Sequence, residues 1–532
     1  MDKGSLKNPY GELPEEPRYE FGIGLARGAA LAFLLLIAVP GILAVVELIG
    51  NGAPPSASET LEGTLREWES HFEDAALFEK WRGRDQGRLV RWFSEGNSRV
   101  VIGRDGWLFY RPDIDAAVGK GPRYVEPPSV ARAPSDQVWQ PPLPVVKKFA
   151  EQLEERDIRL VIVPVPTKAM IETTGFGDAA EASRSFRMAS DWDSVREEIE
   201  SYGVEFVDLV PLFSEIARAG DVFLRQDTHW TPQTMEAVAD LLATRLAADS
   251  SGGRENVRQE VPRESQGDLV DMLSLEERQV DVFPAEEVSI TRILEPSSNL
   301  PLPSDSDAPL VLLGDSFVNV FEDPSLGFDI NGEEKIGAGF SSHLADRLGQ
   351  NLHVIAINGG GATDVRKSLA ALPDDQVREK EAVVWLISAR DLFLAEVPAR
   401  RAGISWEPVT FSTRQREKAR DPEALVLSGV LSERSQAGDP KQTPYASALY
   451  SGIFTEIEVE SRSYAADEAW VFLWAFRERE ILPSAHLQTG KRYRLRLVPL
   501  PESGPEASAT QIDDFFRVDL ERLFATEFEE AD

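Results

Sequence analysis

The sequence predicts an α/β chain: a parallel sheet flanked by helices, preceded by an N-terminal transmembrane helix and followed by a C-terminal β-sandwich-like domain. Three patterns predict it. Between Val145 and Arg390, short all-apolar runs alternate with helical stretches, as in a sheet covered on both faces. The run over residues 28–46 carries no charge and approaches the roughly 20 residues that span a bilayer. Beyond Arg401 the apolar residues switch to a period of two, with Tyr493, Leu495 and Leu497 set between Arg492, Arg494 and Arg496.

In chain order, residues 1–27 are polar and carry Lys3, Lys7, Arg18 and Arg27 among glutamates. Positive charge on that side of the anchor over 28–46 places the amino end in the cytoplasm and the bulk of the chain outside. The long polar lead, with no small-x-small site after the span, disfavours a cleaved signal peptide. Residues 47–95 read as a Pro/Ser/Ala linker and a helical stalk, the stalk resting on Leu61, Leu65, Trp68, Phe72, Leu77, Phe78, Trp81, Leu89 and Trp92. The main domain is expected over 96–404 and opens with a hairpin turn at Arg104-Asp105-Gly106. Strands are expected over 158–165, 204–209, 310–313, 352–357 and 382–387, and helices over 145–155, 192–202, 232–247 and 341–348. Residues 250–308 break this rhythm as a polar insertion, a loop excursion or a lid.

Composition narrows the function. The 532 residues hold 56 Lys and Arg against 90 Asp and Glu, a formal charge of −34, which makes the chain a poor partner for nucleic acid. With no cysteine, disulfides, thiolate metal sites and a thiol nucleophile are excluded. Neither a metal site nor a cofactor site is expected.

The candidate chemistry gathers at strand ends. The apolar run at 310–313 leads into Gly314-Asp315-Ser316, where the turn delivers Ser316 to the start of a helical segment whose free N–H groups can face a developing negative charge. A serine nucleophile needs a base, and the histidines are His71, His229, His343, His353 and His486. His229 stands out because Asp227, two residues before it, could hold one ring nitrogen while the other faces the serine. Thr231-Pro232 is a helix start, so His229 sits on the preceding loop.

These residues carry a family resemblance. Gly103-Arg-Asp-Gly-Trp-Leu-Phe109, Val165-Pro-Thr-Lys168, Asp227-Thr-His-Trp230, Gly314-Asp-Ser-Phe317 and Asn358-Gly-Gly-Gly361, in this order, resemble the AlgJ/AlgX alginate O-acetyltransferases, whose catalytic domain is SGNH-hydrolase-like. The resemblance covers roughly residues 60 to 395. It implies a triad of Asp227, His229 and Ser316 and transfer of an acetyl group through acetyl-Ser316 to a sugar hydroxyl. It also implies a membrane-bound O-acyltransferase as acetyl supplier, since no acetyl-CoA site is visible. The Ser316 amide, with the turn at Asn358, Gly359 and Gly360, is the expected oxyanion site; a plain flexible turn is the alternative. Trp230 would be a sugar platform or a cover for the triad, and Lys168 and Arg390 would bind an anionic substrate or stand as solvated loop charges.

Residues 405–532 are expected to form the sandwich, serving either glycan binding or docking. As a glycan-binding module, its loss would weaken use of long glycans more than of a small acetyl ester. The sequence thus reads as a single-pass inner-membrane protein with a periplasmic catalytic domain that O-acetylates a polysaccharide. An SGNH-type carbohydrate acetylesterase and a non-catalytic glycan-binding assembly protein are the alternatives. The acidic charge weighs against a polyuronate acceptor unless the groove is locally basic.

Overall fold

The computed structural model describes residues 86–531 apart from 125–138, 177–188, 190, 247–254, 276–280, 330–334, 415–424, 439, 441–442, 444, 446, 462–463, 478, 501–508 and 516. The expected anchor over 28–46 and most of the stalk lie outside the described residues. Among the described residues, no helix is long and apolar enough to cross a membrane. The chain divides into two compact units, residues 1–87 and 88–532, and the elements below all belong to the second.

After a helical stretch ending at residue 93 come β1 (Val100–Ile102) and β2 (Leu108–Tyr110), an antiparallel pair joined through the turn at Arg104-Asp105-Gly106. The main sheet is built from β3 (Arg159–Val165) and β4 (Glu205–Phe206), with β7 (Leu310–Gly314), β8 (His353–Ala356) and β9 (Ala382–Ser388) joining after an insertion that contains β5 (Val257–Ser265) and β6 (Glu286–Leu294). Its order is β4-β3-β9-β7-β8, and every pairing is parallel. Every residue of β7 and β9 is buried, which is why these strands read as unbroken apolar runs. Helices such as Pro142–Glu154, Trp192–Glu200, Pro232–Leu246 and Phe340–Leu348 cover the sheet. In the first three the buried residues recur at helical spacing, as with Val145, Val146, Phe149, Ala150 and Leu153, while Phe340–Leu348 is buried on nearly every side.

Two expectations change in detail. The strand expected over 204–209 is only the two-residue β4, because a helix takes over at Val210 with Pro211 in its first turn. The insertion over 250–308 is not a structureless excursion. It folds as the antiparallel β5–β6 hairpin with the short helix Asp268–Met272 between its strands.

The expected C-terminal sandwich is instead a closed barrel. It consists of β10 (Leu425–Arg434), β11 (Ala448–Val459), β12 (Ala469–Arg477), β13 (Glu480–Ile481), β14 (Arg492–Pro499), β15 (Thr510–Ile512) and β16 (Arg522–Glu530). Pairing runs β12-β16-β14-β10-β11, and β11 pairs again with β12 to close the ring. Register shifts between β10 and β11 at Ser428/Val430 and Leu431/Glu433, and between β14 and β16 at Arg496/Leu497, supply the bending that closure needs. The alternation expected for β14 is present: Tyr493, Leu495 and Leu497 fill the interior, while Arg494 faces outward toward Glu460 and Glu529. A period of two is common to sandwich and barrel. Only the β11–β12 pairing distinguishes them. Strand β12 is apolar on both faces because Val471 and Leu473 fill the barrel while Trp470 and Phe472 join an outer apolar cluster.

Candidate active site

The loops that follow β3, β7, β8 and β9 meet at the carboxyl edge of the sheet, where ligands bind in open α/β folds. Ser316 begins the short helix Ser316–Asn319 directly after β7 and lines a cleft of about 1330 Å³. Asp315 caps that helix, its Oδ1 accepting from the Phe317 N–H at 2.9 Å.

His229 and Asp227 arrive on the loop before helix Pro232–Leu246, held by a bridge between Phe223 and Trp230. His229 Nδ1 lies 2.6 Å from Asp227 Oδ1, which also accepts from the His229 backbone N–H at 2.9 Å. The pair is buried, and the His229 ring packs edge-on against Phe317 with centroids 5.0 Å apart, beside Ser316. Its other nitrogen, Nε2, is buried without a protein hydrogen-bond partner. Burial opposes charging the ring, but the charge of Asp227 and its hydrogen bond outweigh that and hold the His229 pKa above 6.5. Burial likewise opposes ionising Asp227, and His229 outweighs it, holding that carboxyl below the usual range.

The insertion braces this loop. The Asp268 backbone N–H donates to Asp227 Oδ2 at 3.1 Å, while the Asp268 carboxylate accepts from the Thr228 backbone N–H at 2.8 Å and its hydroxyl at 2.6 Å. Glu286 on β6 accepts from the N–H groups of Arg225 and Gln226 at 2.9 and 3.0 Å. The approach is close enough to need glycine: a Cβ on Gly267 would stand 2.2 Å from the Gln226 carbonyl oxygen. Burial, with the charge of Asp227, pushes the Asp268 carboxyl up to about 7. Ligand atoms of Asp227, His229 and Asp268 lie within 4.8 Å of one another, but they are engaged with each other and with Thr228.

The other expected site residues separate. Lys168 is 1% exposed, neither solvated nor open to a substrate. Its ammonium donates to the carbonyls of Arg225 and Asp227 at 2.7 and 3.0 Å and lies over the rings of Trp107 and Phe109, so it anchors the Asp227–His229 loop from behind. Burial lowers its pKa to about 8. Arg390 lines the cleft, paired with buried Asp113 at 2.7 Å. Trp230 is fully buried between Phe317 and Phe340, with no face for a sugar ring. Asn358 is turned inward, donating to Asp323 and accepting from Asn319, and the Gly360 N–H donates to the Ile357 carbonyl. Of that turn, Gly359 lines the cleft. Sequence reasoning passed over Asp268, Glu286 and Asp113. Asp268 and Glu286 lie inside a stretch with no strand-end or spacing signal, and Asp113 sits within a helix.

The family model described as "SGNH hydrolase-like domain, acetyltransferase AlgX" matches residues 100–389, which include Asp227, His229 and Ser316. The chain belongs to this family. Among curated relatives, the "Probable alginate O-acetylase AlgJ" of Pseudomonas aeruginosa is 28% identical over 235 residues, covering 42% of this chain and 54% of the relative. That of Pseudomonas fluorescens is 24% identical, covering 61% of this chain and 79% of the relative. The chain spans about half the length of the first of these relatives. Among solved structures, the O-acetyltransferase domain of Pseudomonas putida AlgJ is similar at 22% identity and a TM-score of 0.39, covering 61% of this chain and 95% of that one. Pseudomonas aeruginosa AlgX is similar at 15% and 0.37, covering 63% and 77%. The family match ends before the barrel begins at Leu425.

The electrostatics lead to a measurable pH dependence. A His229 that already holds a proton cannot accept another, so acylation of Ser316 by an activated acetyl ester should fall as pH drops through a midpoint above 6.5. Asp227→Asn should move that midpoint down, because the charge that raises it is removed. An acid limb unmoved by this substitution would assign the titration to another group.

Proposed function

We propose that this protein is a polysaccharide O-acetyltransferase that works through an acetyl-Ser316 intermediate. The observation that carries the reading is the buried Asp227–His229 pair at 2.6 Å, whose ring packs against Phe317, the neighbour of Ser316 in the helix that opens after β7. His229 takes the Oγ proton as Ser316 attacks the carbonyl carbon of an acetyl donor, and passes it to the leaving group. Then a sugar hydroxyl gives its proton to His229 and attacks the acetyl carbon, and Oγ departs and is reprotonated. Asp227 keeps the ring in the tautomer that accepts at Nε2. The backbone N–H groups of Ser316 and Gly359 are assigned to the oxyanion, since those of the Asn358 side chain and Gly360 have partners.

The cleft favours a chain-like acceptor. Its volume of about 1330 Å³ exceeds that of ordinary small-molecule sites, and residues from both the sheet domain and the barrel line it, including Arg390, Arg401, Thr443 and Gln511. The AlgJ relatives are named for alginate; for this chain the acceptor is assigned as a polysaccharide. Donor acetyl would come from a membrane-bound O-acyltransferase, with the anchor over residues 28–46 holding the catalytic domain at the outer side of the inner membrane.

Replacement of the nucleophile and its orienting acid tests the mechanism. Ser316→Ala should abolish protein acetylation by p-nitrophenyl acetate, and Asp227→Asn should slow it by about 10,000-fold. Unchanged turnover in either variant removes that residue from the mechanism.

Acceptor use separates transferase from esterase, which share the acyl-enzyme and differ in what attacks it. Ester hydrolysis alone should be slow, and a matching oligosaccharide from a panel of neutral and anionic ones should raise turnover, with acetyl found on sugar by mass spectrometry. Fast hydrolysis indifferent to every glycan decides for an acetylesterase.

Protease added to spheroplasts reads the placement. The catalytic domain should be digested while the inner membrane is intact; full protection would put it on the cytoplasmic side.

A further inference from the structure

Ahead of the family-matched span, the chain carries an apolar patch that the acyl-transfer site does not use. Residues 86–93 are helical, and on the stretch from Arg88 to Phe93 the side chains of Leu89, Trp92 and Phe93 are 41%, 77% and 72% exposed. Their spacing of three and four puts them on one helix face. Val90 is buried instead, in a cluster with Leu269, Val270 and Met272, so the helix is fixed to the domain while three large apolar side chains face water. Other exposed large apolar side chains, such as Val118, Leu300 and Ile481, stand singly in separate segments.

Charge narrows what covers this face. From residue 80 to residue 93 the sequence has Lys80, Arg82, Arg84, Arg88 and Arg91 against Asp85 alone, in a chain of formal charge −34. Arg88 and Arg91 are exposed beside the apolar face. Aromatic rings surrounded by cations on a helix surface match the interface of an anionic bilayer: the rings enter the headgroup region, and the guanidinium groups pair with phosphate. The face also lies at the amino end of the domain, the end that continues toward the anchor expected over residues 28–46.

We propose that Leu89, Trp92 and Phe93, with Arg88 and Arg91, form a docking surface for anionic phospholipid. This rests on the membrane placement proposed above. The anchor would set proximity to the bilayer, and the patch sets which side of the domain faces it. Residues 94–99, directly after the patch, line the cleft, and their backbone is pinned: Asn97 Oδ1 accepts from the Arg99 and Val100 N–H groups at 2.9 Å, and Asn97 Nδ2 donates to the Met272 carbonyl at 2.8 Å. Met272 ends the helix Asp268–Met272 that braces the Asp227–His229 loop. A patch seated among headgroups therefore holds this wall of the cleft at the membrane surface, where a membrane-bound supplier would release acetyl.

The chain has no cysteine, so one introduced thiol is a unique reporter. Full-length Ser94→Cys, labelled with an environment-sensitive dye, is reconstituted into phosphatidylcholine–phosphatidylglycerol vesicles that contain lipid spin-labelled near its headgroup. Dye emission should be quenched, and several-fold less so in vesicles of phosphatidylcholine alone. Adding Trp92→Ser and Phe93→Ser should abolish the quenching and leave the melting temperature unchanged, since both rings are exposed. Quenching that is absent, that survives those two substitutions or that is equal in phosphatidylcholine alone overturns the assignment. Emission already shielded in detergent means that the stalk or a second copy covers the patch, and overturns it equally. The same dye on Ala44→Cys, inside the expected anchor, keeps the two readings apart. Quenching there but not at position 94 removes the patch and leaves the anchor standing; no quenching at position 44 removes the anchor reading itself.

Discussion

The site depends on keeping one buried carboxylate, that of Asp227, charged. Removing such a group from water costs several kcal/mol, roughly, and that cost is offset only when its oxygens are fully engaged. Here they are: Oδ1 accepts from the His229 ring and backbone, and Oδ2 accepts from the Asp268 backbone. The same pair that stabilises the carboxylate leaves His229 with one nitrogen engaged and one available. Structural need and chemical use coincide in a single hydrogen bond.

That pair lies on a loop, and a loop alone would not hold it. Three distant elements do so. The β5–β6 hairpin supplies Glu286 and Asp268, the end of β3 supplies Lys168 beneath the backbone, and Trp230 anchors the loop's far end in the core against Phe317. A stretch that looks like an accessory excursion thus determines where His229 stands. Asp268, lifted to about 7 and bonded to Thr228, is close enough for its own ionisation to act on the Asp227–His229 pair.

On the opposite side of the cleft the barrel performs a similar service for the turn after β8. Thr510 and Tyr445 fasten Asn358 and Gly359, and Lys367 donates to the Asp513 carbonyl at 3.3 Å. The family match covers the sheet domain alone. In this chain the sheet domain shares its cleft with a second fold.

Much of this was legible in the residues themselves. Buried parallel strands are written as continuous apolar runs, so β3, β7, β8 and β9 could be read directly, as could the placement of Ser316 at a strand end. The pairing of Asp227 with His229 spans two residues and is equally local. The alternation in β14 showed that the C-terminal region is β-structured. Four matters were decided only by tertiary structure. Closure of the barrel rests on which strands pair, and β11 meeting β12 leaves no mark beyond the period of two that a sandwich also has. The burial of Lys168 rests on Trp107 and Phe109 arriving from β2 and its flank, so a charge that looks solvated in sequence becomes an internal anchor. The inward turn of Asn358 rests on Asn319 and Asp323 lying beneath it. The approach of Asp268 and Tyr445 to the site joins segments far apart in the chain, and such contacts impose neither a periodicity nor a local spacing. Sequence determined the elements and the local pairs because backbone geometry dictates them residue by residue; packing between remote elements decided which of those residues face the cleft.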